Sequence, residues 1–350
     1  VTVRTVSDAV TPAGTHGQPR RVLAERDWTA AERRHRDRVE EFLAPHLRRR
    51  QRGEAHPVWD FLFTYYSLRP RELRRWHPGY GVALTGAAAG RYLTFSLYGR
   101  CDGHRDTPGV AVTPAHLAAR ADTVRFVCAL LRATQARAPR LNCFGLHEWA
   151  MVYRTDAVRH SRVPLRLGSA GTDAVVESMP LRCTHFDAFR FFTDAAAPRN
   201  ERQLTREQQI ATEQPGCIHA SMDLYKWAYK LGPLVASDLV ADALALAADA
   251  RALDMRASPY DLTSYGFEPI AIETPAGRAE YVRAQGQIAD RAAALRADLA
   301  NRCELLLIEM TVETPTLPMA KLDKRQAPPG AEKPREESMT THRAAEAVRA

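Results

Sequence analysis

Residues 218 to 310 carry three helical patterns in succession, with turn signals but no strand pattern between them. They run from about Ile218 to Lys230, from Asp238 to Arg256 behind Ser237 as cap, and from Pro275 to Met310 behind Thr274. Upstream, Thr29-x-x-Glu32 reads as a capping box ahead of a charged helix carrying Val39, Phe42 and Leu43, punctuated by Pro45 and Gly53. Arg71 to Trp76 reads as a helical turn. Thr113-Pro114 is an N-cap with proline at the first helical position, and that helix runs to about Arg137. Further helices are expected from Cys143 to Arg154 and after Thr205-x-x-Gln208. Strand and helix signals do not alternate, so an all-parallel α/β sheet is not supported. The evidence for any sheet is a hairpin of Tyr80–Leu84 and Arg91–Phe95 around Thr85–Gly90, plus a short strand at Ala174–Glu177. The expected fold is mainly α (α+β): one helix-rich domain over residues 22–310 with a small β-hairpin. Residues 1–21 and the basic, Pro-rich residues 311–350 are expected to be disordered tails.

A chain of 350 residues with 45% hydrophobic content is long enough to bury a sizeable core. No stretch approaches the roughly 18 uninterrupted apolar residues of a membrane span, and Val1–Arg21 has no apolar signal core, which points to a cytoplasmic protein without a membrane partner. The six cysteines never form a C-x-x-C pair, so buried thiols are expected rather than a disulfide framework or a zinc ribbon. A net charge of +8 permits a polyanionic partner. Much of the excess, however, lies in Arg48-Arg49-Arg50-Gln51-Arg52 and the two tails, where a solvated basic face explains it equally well.

Four segments concentrate histidine, acids and aromatic rings. In His56–Tyr66, Asp60 lies among Trp59, Phe63, Tyr65 and Tyr66; an acid among rings is desolvated, which raises its pKa and suits proton transfer. An aromatic core plug with Asp60 as an arginine partner fits the same residues. In Cys143–Arg154, His147 and Glu148 diverge by about 100° on a helix, so one faces a site while the other braces a neighbour. Arg182–Phe192 holds His185-x-Asp187, which projects to one side if extended and diverges if helical. In Gln214–Trp227, His219 and Asp223 stack four apart on one helix face, with Tyr225 and Trp227 following. That spacing suits two metal ligands or an aspartate orienting a histidine; an ordinary i,i+4 pair is the alternative. A later loop with Arg256, Tyr260, Asp261 and Glu268 is placed to close over a substrate.

The P-loop, the G-x-G-x-x-G turn, the G-x-S-x-G elbow and H-E-x-x-H are all absent from the sequence. At the four segments, and at Arg74–Gly79, Met255–Asp261 and Glu273–Arg278, the chain resembles a bacterial family commonly named 3-methyladenine DNA glycosylase. The likeness spans about residues 22 to 290. The resemblance implies a base-excision N-glycosylase that binds DNA, needs no cofactor and hydrolyses the glycosidic bond of an alkylated purine. In that reading Trp59, Tyr65, Tyr66, Tyr225 and Trp227 hold the flipped base, while Arg154, Arg182 and Arg190 face the phosphates. Asp187 is then the first choice for the carboxylate that steadies the sugar cation, followed by Asp223, with His185, His219, His147, Glu148 and Asp60 as further catalytic candidates. The alternative is a metal-dependent oxygenase or hydrolase acting on a small molecule. Its Fe, Mn or Zn would be held by ligands from His147, Glu148, His185, Asp187, His219 and Asp223.

Overall fold

The computed structural model describes residues 19–102, 108–156 and 163–312. Expectations for most of 1–21 and of 311–350 therefore lie outside the described residues. The protein is mainly helical, with one small sheet.

Helix α10 (Ile218–Leu231) is the centre of the core: every residue of it except Tyr229 and Lys230 is buried. A helix covered on all sides needs neighbours all round, and α5 (Ala121–Gln135), α11 (Ser237–Arg256) and α12 (Pro275–Val312) supply them. On α11 the buried positions include Ala241, Ala243, Ala247, Ala248 and Ala250, so its backbone approaches α10 closely. Shorter helices complete the bundle: α2 (Phe61–Thr64), α3 (Pro70–Leu73), α4 (Pro114–Ala119), α6 (Leu146–Ala150), α7 (Gly168–Ser178), α8 (Phe186–Phe189) and α9 (Gln209–Thr212). No helix among the described residues is long and apolar enough to cross a membrane.

Helix α1 (Glu25–Gln51) starts a turn earlier than its expected capping box. Thr29 lies inside it and donates its hydroxyl to the Glu25 carbonyl at 2.7 Å, and Pro45 lies within the helix instead of ending it. Thr113, by contrast, caps α4 by accepting from the His116 amide at 3.2 Å, and Thr274 accepts from the Gly277 amide at 3.0 Å at the start of α12. The helix expected over Cys143–Arg154 shrinks to α6, because Phe144, Gly145 and Arg154 all adopt positive φ and interrupt it on both sides.

The expected hairpin does not form. The sheet has the order β1-β2-β4-β3, from β1 (Arg21–Leu23), β2 (Val82–Thr85), β3 (Tyr98–Asp102) and β4 (Pro108–Val112). β1 pairs parallel with β2, and β4 pairs antiparallel with both β2 and β3. Residues 87–94, expected to turn and return as a strand, instead form a 3-10 helix. Alanine is a poor strand former, and the Glu25 carboxylate accepts the Ala88 amide at 3.0 Å. Gly86 permits this with φ +98°; a Cβ there would collide with the Glu25 carboxylate. Ala174–Glu177, read as a strand, belongs to α7, whose Val175 and Val176 face the core. Tertiary packing overrides their β preference.

Trp28 joins α1 to this sheet. It is fully buried, donates Nε1–H to the Thr85 carbonyl at 3.0 Å and meets the Tyr92 ring edge-on at 5.9 Å. Trp28→Ala is expected to cost about 3–5 kcal/mol in denaturant unfolding, and Trp28→Phe clearly less. His77, in the segment after α3, lies 2.9 Å from the Tyr98 hydroxyl, and burial pushes its imidazole down from 6.5 to about 4. The unfolded chain takes up a proton below pH 6.5 while the folded chain does not until about pH 4. Stability is therefore lost as pH falls through that window, by up to roughly 3 kcal/mol. Unfolding curves of His77→Gln between those limits are expected to fall less steeply with acid than those of the parent.

Candidate functional site

The short helices α6, α8 and α9 deliver their polar residues onto the buried faces of α10 and α11. His147 comes from α6, His185 immediately precedes α8, and Glu213 directly follows α9. His219, Asp223 and Lys226 lie at successive turns of α10, and Arg251 and Asp254 at successive turns of α11. All are at most 9% exposed. A polar set this dry must be satisfied internally.

Two groups of three ligand atoms result. In the first, His147, His219 and Asp254 each bring an atom within 4.8 Å of the others; in the second, His185, Glu213 and Asp223 do the same. Within the first, His147 Nε2 donates to Asp254 Oδ1 at 2.8 Å. Within the second, His185 Nε2 donates to Asp223 Oδ2 at 3.2 Å and lies 3.4 Å from Glu213 Oε1. The His219 ring joins the groups: it meets His147 edge-on at 4.4 Å and stacks on His185 at 5.4 Å.

Cations frame this core. Arg251 Nη1 donates to Glu148 Oε1 at 2.9 Å and to Asp254 Oδ2 at 3.2 Å. The Lys226 ammonium donates to Asp223 and, at 3.1 Å, to Asp187 Oδ2. Arg206 reaches Asp187 at 2.6 Å and Arg190 at 3.3 Å, both from the exposed side. Burial would raise the Asp223 carboxyl, but Lys226 and His185 hold it well below the usual carboxylate range. Burial raises the Glu213 carboxyl, and His185 offsets this only in part. Burial would lower His147 and His185, yet Asp254 on the one and Glu213 with Asp223 on the other hold both above their ordinary value. His219 is pushed well down by burial and by the charges of His147 and His185, which leaves it a neutral imidazole with a lone pair.

Three thiols stand beside the first group. Cys143, Cys183 and Cys217 line a small chamber with His147 and His219. Burial pushes Cys183 up to about 11 and Cys217 well above its ordinary value, so both are protonated thiols rather than thiolates. Arg182, Cys183, Thr184 and Gln214 form a wall shared by this chamber and a neighbouring cavity of about 200 Å³. Arg137, Arg140 and Arg202 also line that cavity.

His147, His185, His219 and Asp223 thus come together. His219 and Asp223 share a helix face but do not pair with each other; each serves a different group. Glu148 and Asp187 are buried nearby but belong to neither group, being engaged by Arg251 and by Lys226 with Arg206. Asp60 is elsewhere. It accepts from His46 Nδ1, Arg49 Nη2 and the His56 amide, each at 2.8 Å. Burial pushes its carboxyl up, but those three donors outweigh it and hold the group below its ordinary range, the reverse of the expected rise.

The aromatic candidates pack against neighbouring rings. Trp59 leans on Phe267 at 5.6 Å, Tyr65 stacks on Phe61 at 4.7 Å, and buried Tyr66 meets buried Tyr225 edge-on at 5.4 Å. Trp227 meets Phe126 at 5.5 Å with the Lys226 ammonium 4.5 Å from its ring centroid. Arg154 pairs with Glu177 at the surface, and Arg182 lies 3.9 Å from Glu201 at the cavity wall. The expected closing loop is fixed: Tyr260 is buried beside Val58, Val152 and Met255, and Arg256 holds the Glu268 carbonyl at 2.9 Å.

Sequence reasoning missed Asp254 and Glu213. Asp254 had a signal. Asp242 and Asp249, seven apart, mark the wet face of α11, whereas Asp254 follows the buried stripe through Ala247, Ala250 and Arg251. Glu213 had none, because it lies in a short polar stretch just before Pro215-Gly216 with no periodicity to interpret.

Arg251→Met is expected to destabilise the protein by about 3–5 kcal/mol, because Glu148 and Asp254 are left buried without their cation. Arg154→Met, at an exposed pair, is expected to leave the unfolding midpoint almost unchanged; equal effects in denaturant titrations would contradict this account. Compared with protein-family models, with curated proteins and with solved structures, the chain matches none of them.

Proposed function

We propose that the protein is a metal-dependent enzyme acting on a small anionic molecule, with His147, His219 and Asp254 and, beside them, His185, Glu213 and Asp223 as the ligand sets. The observation that carries this reading is geometric: six buried nitrogen and oxygen ligands fall into two triads joined through one imidazole ring. Two histidines with one carboxylate, next to one histidine with two, is a donor mixture suited to Fe, Mn or Zn. In the second set the His185 Nε2 faces both carboxylates, 3.2 Å from Asp223 and 3.4 Å from Glu213. Arg251 and Lys226 act as supports, fixing the carboxylates of Asp254 and Asp223 in place.

A bound divalent ion supplies Lewis acidity, for activating water or for holding a reactant oxygen. The chain's own contribution is to exclude water and orient the reactant. Cys143, Cys183 and Cys217 give the inner chamber a soft, polarisable wall. The arginines of the adjoining cavity favour a carboxylate or phosphate on the substrate. Those same arginines are what supports the DNA base-excision reading carried by the family resemblance, since phosphodiesters would meet them too. Against it, Asp187 is tied to three cations and the aromatic candidates are packed against neighbouring rings. A flipped base would have to displace these contacts.

Elemental analysis of untagged protein tests the proposal. Bound Fe, Mn or Zn near stoichiometry is expected. Asp254→Asn and His219→Ala are expected to lower metal affinity by about 10–100-fold or more. Asp60→Asn serves as the control that retains metal despite its lost ion pairs. Metal-free protein that cannot be loaded would overturn the reading, and release of 3-methyladenine from methylated duplex by chelated protein would install the glycosylase in its place.

A further inference from the structure

The cavity that shares a wall with the chamber of His147 and His219 carries an unbalanced charge. About 200 Å³ in volume, it is lined by four arginines, Arg137, Arg140, Arg182 and Arg202, against one acid, Glu201. Hydrogen bonds and an ion pair fix where three of the guanidinium heads lie. Arg137 Nη1 donates to the Ala133 carbonyl at 3.0 Å and to the Glu213 carbonyl at 2.8 Å. Arg140 Nη2 donates to Glu201 Oε2 at 2.7 Å, and Arg182 Nε lies 3.9 Å from the same oxygen. Each of these heads keeps further N–H groups that make no hydrogen bond among the described residues. Arg140, with Arg182 and Arg202 beyond it, holds the Glu201 carboxyl below its ordinary range. A single carboxylate thus faces four cations.

Two buried amides clamp the segments that carry these arginines. Gln214 Oε1 accepts both the Arg140 and the Gly216 amide at 2.8 Å, and Gln214 Nε2 donates to the Arg140 carbonyl at 3.2 Å. Gly216 is needed for that approach, since a Cβ on it would crowd the Arg140 backbone. Asn200 Oδ1 accepts the Cys183 amide at 2.8 Å, and its Nδ2 donates to the Cys183 and Arg202 carbonyls at 3.0 and 2.6 Å. Three stretches of chain, 137–140, 182–184 and 200–202, are therefore held around one space despite their like charges. A cleft walled with one sign of charge concentrates the field and draws in counter-ions. A carboxylate would bring one charge and two oxygens. A phosphate monoester brings about −1.5 to −2 at pH 7 and three acceptor oxygens, which suits cations supplied by several segments.

We propose that this cavity anchors a small phosphate monoester, with the phosphoryl group among Arg137, Arg140 and Arg182 and the carbon portion at the shared wall of Cys183 and Thr184. That wall also lines the chamber of His147 and His219, so the far end of the guest is directed toward the first ligand triad. As the identity of the substrate, this rests on the metal-enzyme reading above. As an anion site it does not, because none of its cations belongs to either triad. Glu201 is the guest's competitor: its exposed carboxylate occupies Arg140 until a stronger anion enters.

Isothermal titration of the full chain at about pH 8, where a monoester is a dianion, tests it on protein as purified and again after chelation and dialysis. Methyl phosphate is expected to bind saturably at one site in both preparations. Dimethyl phosphate, a monoanionic diester, and acetate, a monoanionic carboxylate, are each expected to bind at least about tenfold more weakly. Arg182→Gln should weaken methyl phosphate at least about tenfold. Glu201→Gln removes the competing anion and should tighten it about two- to fivefold. No saturable binding of methyl phosphate would overturn the proposal. So would equal affinity for acetate or dimethyl phosphate, or a Glu201→Gln variant that binds no tighter. Binding lost on chelation would place the phosphate on a metal, overturning the anchor while sparing the metal-enzyme reading. Binding that persists in a chain unable to take up metal would keep the anchor and overturn that reading.

Discussion

Lys226 between Asp223 and Asp187, and Arg251 between Asp254 and Glu148, are cation–carboxylate contacts formed almost out of reach of water. Removing such charges from water costs several kcal/mol per ion, and close pairing is what offsets that cost. Every helix that touches these residues is therefore constrained in register. A one-residue rotation of α10 would carry His219, Asp223 and Lys226 about 100° away from their partners together. The same constraint fixes α11, where Arg251 and Asp254 use successive turns of one face.

Packing supplies the other half of the constraint. The alanines on the buried side of α11 let it lie close to α10, and that closeness brings Asp254 to His147 and His219. Leucines there would have separated the helices. The short helices α6, α8 and α9 have too few residues to be stable alone. They are held by what they deliver: His147 on Asp254, His185 on Asp223, and Glu213 at 3.4 Å from His185. The polar core and the irregular shell stabilise each other.

This mutual dependence explains where sequence reasoning reached and where it stopped. The long helices α10, α11 and α12 were legible because each runs unbroken for several turns between proline or glycine stops, whereas the helix expected from Thr113 to about Arg137 breaks at Arg120 into α4 and α5. The hairpin failed because Glu25, some sixty residues earlier, caps the alanine segment. The strand at Ala174–Glu177 failed because its valines pack as one side of a helix. At the site, His147, His185, His219 and Asp223 stood out as polar residues in apolar surroundings. Asp60 stood out equally and turned out to be an arginine partner, since composition alone cannot tell a pinned carboxylate from a free one.

The sequence by itself determined the helical class, the long helices of the core and the residue types available for chemistry, because periodicity and capping are local and act within a few turns of chain. Only the tertiary structure decided which acids meet which imidazoles. Glu213 with His185, Asp254 with His147 and Lys226 with Asp187 are separated by 28, 107 and 39 residues. Partners so far apart are chosen by the need to neutralise buried charge once the helices pack, and no local pattern encodes that choice.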